Sequence, residues 1–174
     1  MGQKVNPISM RLQVNKDWRS KWFTGKKDYS TYLKQDLAVR RHIDKTLGSR
    51  AAVNKVDIER SPNLVTVTIQ TAKAGVVIGR GGSGATELKI AIEKIYKVPV
   101  RVNIEEIKRP ELQAKLVAEN IAHQMERRIS FRRAVKSSAG AAMRAGAKGI
   151  RIEVAGRLGG MEMSRREKEI KGSV

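Results

Sequence analysis

The residues most able to do chemistry lie in one cluster, Gly79-Arg80-Gly81-Gly82-Ser83-Gly84. Four glycines in six residues let a backbone approach a ligand closely. The helical pattern that follows would aim free N–H groups and the positive end of its dipole at the loop, so the chemistry implied is the holding of phosphate. The cluster reads in two ways. As G-x-G-x-x-G it uses Gly79, Gly81 and Gly84, a dinucleotide fingerprint, and the acidic pair Glu105-Glu106 lies roughly 20 residues on, where a ribose-binding acid would sit. As G-x-x-G it is Gly79-Arg80-Gly81-Gly82, a clamp for a nucleic-acid backbone, with Arg80 as the cation.

The surrounding elements decide between them. Asp28 is placed to cap a helix running to about Leu47, with Tyr29, Leu33 and Leu37 repeating every four residues and Gly48 as the stop. Lys55 to Glu59 alternates as a strand. Ser61-Pro62-Asn63 turns, and Val65, Val67 and Ile69 share one face of a second strand. A short apolar segment, Gly75 to Ile78, precedes the cluster. Leu88, Ala91, Ile92 and Ile95 then fall at helical spacing, and Val98, Val100, Val102 and Ile104 alternate as a third strand. The glycine loop therefore sits between two helices, in the order helix, strand, strand, short helix, GxxG, helix, strand. That is the placement of the loop with which KH domains clamp a nucleic-acid backbone. Too few later strands follow to complete a doubly wound sheet, and Ala85 stands where a P-loop needs lysine. Adjacent in a strand, Glu105 and Glu106 point to opposite faces and make no acid–base pair. With no cysteine and no placed histidine, His42 and His123 being isolated, the chain offers no catalytic constellation or metal site and calls for no cofactor. It is read as a binding protein, not an enzyme.

Before these elements, residues 1–27 are polar and basic, with Trp18, Trp22 and Phe23 the only large anchors, and read as an extended arm that packs locally. Beyond Pro110, Leu112, Leu116, Val117, Ile121, Met125 and Ile129 line an amphipathic helix. A further helix over about Phe131 to Arg144 carries Val135, Ala139 and Ala142 inward. Ile150, Ile152 and Val154 form a strand, Gly156-Arg157-Leu158-Gly159-Gly160 turns, and Met161 and Met163 begin a return strand. The expected organisation is α+β: an N-terminal arm (1–16), a type II KH domain (17–109) and a small α/β domain (110–174). The second unit buries little apolar surface and is marginal alone.

The formal net charge is +19 in 174 residues. A surplus of that size requires a polyanionic partner. A membrane surface is the poorer choice, since aromatic residues are only 4% of the chain and anchors are few. No apolar run approaches the roughly 20 residues that a bilayer demands, and the start Met1-Gly2-Gln3-Lys4-Val5-Asn6-Pro7 lacks the apolar core of a secretory signal. Nucleic acid is the partner expected. Beside the GxxG residues, Lys4 and Arg11 of the arm are expected RNA contacts.

That opening heptapeptide resembles the start of the bacterial-type family of small-subunit ribosomal protein three. So do Gly75-Val76-Val77-Ile78-Gly79-Arg80-Gly81-Gly82, Lys108-Arg109-Pro110-Glu111-Leu112, Glu126-Arg127-Arg128-Ile129-Ser130-Phe131-Arg132-Arg133-Ala134, Gly146-Ala147-Lys148-Gly149-Ile150 and Gly156-Arg157-Leu158-Gly159-Gly160. These blocks span nearly the whole chain. The resemblance implies a type II KH domain followed by a separate α/β domain. It implies a place on the head of the small ribosomal subunit, in the cytoplasm or an organelle, in contact with small-subunit rRNA and with neighbours such as small-subunit proteins ten and fourteen. It also implies a position at the mRNA entry pore, where the family helps to unwind structured message through residues matching Arg132, Arg133 and Lys136. Spaced three and four apart, these can project from one face of a helix. Arg127 and Arg128 are expected to touch rRNA or support the same surface. The family's second domain continues with further strands beyond the segment at Lys171 to Val174, so the resemblance implies a shortened domain here, as a naturally short protein or a fragment.

Overall fold

The computed structural model describes residues 2–174, with Ser49 described by its backbone alone; Met1 of the opening heptapeptide lies outside them. The chain forms two compact units, one ending at Glu106 and one running from Ile107 to Val174. No described helix is long and apolar enough to cross a membrane.

In the first unit, β1 (Ser20–Lys21), β2 (Val53–Ser61), β3 (Leu64–Thr71) and β4 (Val100–Glu106) form one sheet in sequence order. The β2 and β3 strands are antiparallel, joined by the turn at Pro62, while β4 returns parallel to β3. A parallel return needs a crossover. Here it consists of α3 (Ala74–Ile78), a 3-10 turn at Arg80–Gly82 and α4 (Ser83–Tyr96). Alternation along β3 sends Val65, Val67 and Ile69 into the core, where they meet Val56 and Ile58 of β2 and Leu88 and Ile92 of α4. Thr66 and Thr68 face the other side of the sheet.

The long helix α2 (Lys26–Ala51) departs from its sequence reading in three ways. Its N-cap is Gly25, and Asp28 sits inside the first turn. At Gly48 (φ 48°, ψ −145°) the chain kinks and helix resumes to Ala51, so this glycine is a bend and not a stop. The buried face is Asp36, Val39, Ile43 and Leu47, while Tyr29, Leu33 and Leu37 are 52%, 41% and 43% exposed. Two i, i+4 apolar rows compete in this helix. The row that wins is the one in line with the polar anchor Asp36.

The arm is more structured than an extended strap. Asn6 caps α1 (Pro7–Met10) by accepting from the Ile8 N–H at 2.9 Å, with Pro7 at the first helical position. Further on, the Arg19 carbonyl accepts from the Ile58 N–H at 2.9 Å, seating β1 beside β2. Arg40 fixes that edge from α2. Its guanidinium donates to the Arg19 carbonyl at 2.8 Å, to Ser20 Oγ at 2.9 Å and to the Val56 carbonyl.

The charged centre of this unit is Asp36, which is 2% exposed. It accepts from Trp22 Nε1 at 2.8 Å, from the Tyr96 hydroxyl at 3.0 Å and from Arg60 Nε at 3.0 Å, with Arg60 Nη2 closing the ion pair. Arg60 also donates to Gln35 Oε1 and the Tyr32 carbonyl, each at 2.9 Å, and lies over the rings of Tyr32 and Tyr96 at 4.4 and 4.5 Å. Arm, α2, β2 and α4 thus converge on one carboxylate. Burial, reinforced by the Asp36 charge, holds the Tyr96 phenol far above its ordinary range.

In the second unit, α5 (Ala114–Glu126) and α6 (Phe131–Arg144) pack with an antiparallel hairpin, β5 (Gly149–Gly156) and β6 (Arg165–Gly172). Its core is small: Ile121, Ala134, Val135, Val154 and Leu158. Leu112 and Ile129 fall outside α5 and are 42% and 39% exposed. Met161 and Met163 lie in the connection and not in the return strand, at 54% and 81% exposure. The return strand alternates charge instead. Arg165, Glu167, Glu169 and Lys171 are half-buried, and Arg166, Lys168 and Ile170 face outward. Glycine fits the open end of the hairpin because Cβ atoms at Gly149 and Gly172 would run into the Ser173 and Lys148 carbonyl oxygens, just beyond the ends of the facing strands.

Candidate nucleic-acid interface

The glycine loop follows a helix, α3, and not a strand, which removes the dinucleotide geometry and leaves the GxxG reading. Three of the four residues Gly79 to Gly82 have left-handed φ: Gly79 at 72°, Gly81 at 61° and Gly82 at 83°. At Gly79 a Cβ would sit 3.0 Å from the Gly84 N, so the position is restricted by backbone angle and by space. At Gly81 and Gly82 nothing lies within 4 Å of an added Cβ, so their outer side is open to a ligand. Gly84 has a different task. A Cβ there would meet the Val77 carbonyl at 2.7 Å, so its absence lets α4 begin directly against the end of α3.

The result is a bare loop of backbone facing outward, with Arg80 exposed on it. Helix α4 starts at its edge without a side-chain cap, leaving the positive end of the dipole uncompensated. Backbone N–H groups, a helix amino end and a guanidinium together favour a phosphate diester passing over the loop. Glu105 and Glu106, both exposed at the end of β4, form no part of this arrangement, and Glu105 accepts from Gln70 Nε2 at 2.8 Å.

In the second unit Arg132, Arg133 and Lys136 are all exposed on α6, opposite a buried face of Ala134, Val135, Ser138, Ala139 and Ala142. Helix α6 contains no acidic residue. Arg132 and Arg133 occupy its first turn, where the dipole favours anions, at a cost of about 0.3–1 kcal/mol each at low salt. A helix of this kind attracts phosphate with its backbone and its side chains together. Glu167 reaches only 3.9 Å from Arg132, whose side chain is well exposed while that of Glu167 is half-buried. Arg132 and Arg165 lie over the Phe131 ring at 5.6 and 5.5 Å, which gives the first arginine a platform.

Just before α6, Arg127 and Arg128 are also exposed. Arg128 holds φ 61° at the position after the α5 cap that usually carries glycine, between bonds from its own N–H to the Met125 carbonyl (2.9 Å) and from the Ile129 N–H to the Gln124 carbonyl (3.0 Å). An arginine in that conformation costs about 1 kcal/mol or more of backbone strain. In the arm, Lys4 is exposed and Arg11 donates to the Pro7 carbonyl at 2.8 Å, closing α1. The sequence reading missed the Asp36–Arg60 centre. Its signal was present as Trp22, Tyr32, Asp36, Arg60 and Tyr96, but only Tyr32 and Asp36 share an element, and no local spacing joins them to the other three.

Two family models match the sequence: "KH domain" over residues 38–112 and "Ribosomal protein S3, C-terminal domain" over residues 121–174. Similar curated proteins include three named "Small ribosomal subunit protein uS3". The one from Shouchella clausii is 52% identical over the whole of this chain and 79% of its own length. That from Buchnera aphidicola subsp. Cinara cedri is 56% identical over 96% of this chain and 71% of its own. That from Alkaliphilus metalliredigens is 50% identical over the whole of this chain and 74% of its own.

Proposed function

The chain belongs to the small ribosomal subunit protein uS3 family, and from that premise we propose that it is a structural, non-catalytic constituent of the small ribosomal subunit that works by binding RNA. Its expected partners are small-subunit rRNA, mRNA and neighbouring ribosomal proteins such as small-subunit proteins ten and fourteen. It is assigned to the subunit head, in the cytoplasm or an organelle. The N-terminal arm would be residues 1–16, the KH domain residues 17–109 and the second domain residues 110–174.

The observation that carries the RNA reading is the loop Gly79–Gly82, held in left-handed backbone with an open outer side and an uncapped helix behind it. The loop would lie flush on a sugar-phosphate backbone, with Arg80 neutralising phosphate. Lys4, Arg11, Arg127 and Arg128 would add rRNA contacts. Arg132, Arg133 and Lys136 would line the mRNA entry pore and grip phosphates of a folded message while the ribosome pulls on it. No nucleotide site is required for that task, because the work comes from translocation.

Two variants test the reading. Arg80→Asp with Gly81→Asp should lower RNA affinity at least tenfold with the thermal unfolding midpoint of the first unit unchanged within a few degrees; unchanged affinity would remove the clamp. Ribosomes carrying alanine at Arg132, Arg133 and Lys136 should assemble normally and pass a stable mRNA hairpin more slowly than wild type. Equal speed on that hairpin would remove the unwinding role.

A further inference from the structure

The outer face of α2 carries a row of cations that none of the sites above uses. Lys27, Lys34 and Arg41 recur every seven residues, and Lys45 follows one turn later. Seven residues is nearly two full turns, so the row stays on one side of the helix with a spacing of about 10.5 Å. All four side chains are exposed, on the side opposite Val39, Ile43 and Leu47. None makes an ion pair within 4.0 Å among the described residues, although other exposed lysines of the unit do, such as Lys21 with Asp17 and Lys89 with Glu93. The acids of α2 do not neutralise the row: Asp36 is committed to Arg60, and among the described residues Asp28 and Asp44 form no ion pair with it. Lys27 stands in the first turn, where the helix dipole disfavours it. The stretch from Lys27 to Arg41 lies before the kink at Gly48 and forms an uninterrupted helical rod of about 20 Å. Beside the row runs the exposed ridge Tyr29, Leu33 and Leu37.

We infer that this face of α2 is a second RNA-binding surface, which lies along the backbone of a helical RNA segment, with Lys27, Lys34, Arg41 and Lys45 on its phosphates and the apolar ridge against the sugars. A straight row of evenly spaced cations suits a straight, regularly charged partner. Charges repeated along one helix face let it meet several phosphates of the same RNA segment at once. Charge complementarity selects RNA over a protein partner, because the row is purely cationic and the chain as a whole carries +19. The inference rests on the RNA-binding reading above, and it gives the KH unit two separate contacts where the loop alone gives one.

The test is the salt dependence of binding to a short RNA hairpin with a fully paired stem, measured by fluorescence anisotropy on the full chain. Replacing Lys27, Lys34 and Arg41 by Gln should lower the slope of log K against log salt by about 2–3, and weaken binding on the order of a hundredfold at 0.15 M salt. A matched control removes the same charge from the open sheet face: Lys21→Gln, Lys55→Gln and Arg101→Gln. Its slope should change by less than about one. If the α2 variant matches this control, or leaves the slope unchanged, the surface is not an RNA site and the ridge is left for a protein. The Arg80→Asp, Gly81→Asp variant separates the two ideas. Loss of affinity there with none from α2 overturns only this surface. No binding by the unmodified chain overturns the reading on which it rests, and this surface with it. Circular dichroism confirms that each variant folds.

Discussion

Replacing Asp36 with alanine should destabilise the first unit by about 3–5 kcal/mol, the usual cost of stranding one partner of a buried ion pair. The magnitude follows from what remains. Arg60, whose side chain is only 7% exposed, keeps Gln35 and the Tyr32 carbonyl but loses its carboxylate. Trp22 Nε1 and the Tyr96 hydroxyl, which reach Asp36 at 2.8 and 3.0 Å, are left without acceptors. Each of the two orphaned neutral donors adds about 1–3 kcal/mol before relaxation, so the gross cost, about 5–11 kcal/mol, is comparable with the whole stability of an ordinary domain, about 5–15 kcal/mol. Water entering the gap and the aromatic faces around Arg60 bring the net value back into the range stated. The assay is urea unfolding followed by tryptophan fluorescence. Both tryptophans, Trp18 and Trp22, belong to this unit, so the signal does not mix the two units. The companion variant Asp36→Leu with Arg60→Met removes both charges and should recover at least half of the loss, because no uncompensated ion remains inside. A loss below about 1 kcal/mol for Asp36→Ala would refute the argument that this carboxylate holds four elements together; so would a double variant whose loss equals the sum of the two single ones.

Two further outcomes follow from the same geometry. Gly84→Ala should cost about 1–3 kcal/mol and weaken RNA binding, since its Cβ would lie 2.7 Å from the Val77 carbonyl and push α4 away from the loop; Gly75→Ala, with nothing within 4 Å and an ordinary φ, should be neutral in both urea unfolding and RNA titration. The Tyr96 phenol, pushed above its ordinary value of 10.0 chiefly by burial, keeps a proton in the folded state that the unfolded chain releases above about pH 10. Its contribution is therefore complete below that pH and falls progressively as the pH rises above it, so the stability advantage of wild type over Tyr96→Phe should shrink steadily from about pH 10 upward; a constant difference would mean the fold does not hold that proton.

The parts legible in the sequence were those in which one local pattern carried the information. Val65, Val67 and Ile69 alternate and are buried, and Leu88 and Ile92 mark the inner side of α4. The GxxG loop was legible because glycine is the residue that left-handed backbone selects. What escaped was structure fixed by partners distant in sequence. Tyr29, Leu33 and Leu37 obey the helical rule as well as Val39, Ile43 and Leu47 do, and only the polar anchor Asp36, paired with Arg60 24 residues away, decides which row turns inward. Strand β1 is two residues long and has no period to read; its place comes from the Arg19 carbonyl and the Arg40 guanidinium. In β6 the half-buried positions are Arg165, Glu167, Glu169 and Lys171, so the strand has no apolar alternation, and the apolar pair nearby, Met161 and Met163, lies in the turn. The start of α1 was readable as Asn6-Pro7, a cap followed by proline at the first helical position, and the basic surroundings drew attention from it.

The two ways in which this chain treats positive charge explain why its surface needs a partner and its core does not. Arg60 is taken out of water, and the fold surrounds it with a carboxylate, an amide oxygen, a carbonyl and aromatic faces, so its charge is answered within the molecule. Arg132, Arg133 and Lys136 receive the opposite treatment, as do Arg80 and the α2 row. They are exposed, among the described residues they form no ion pair apart from the 3.9 Å approach of Glu167 to Arg132, and three of them, Lys27, Arg132 and Arg133, stand in the first turn of a helix, where the backbone repels them. Folding alone gains nothing from that placement. Shielding by water and salt makes each instance cheap, but shielding does not favour it. A polyanion does, because each cation that meets a phosphate releases condensed counterions, and a whole row does so together. Cations kept in positions of this kind on both units therefore point to a bound state, in which RNA supplies the negative charge that the polypeptide leaves out.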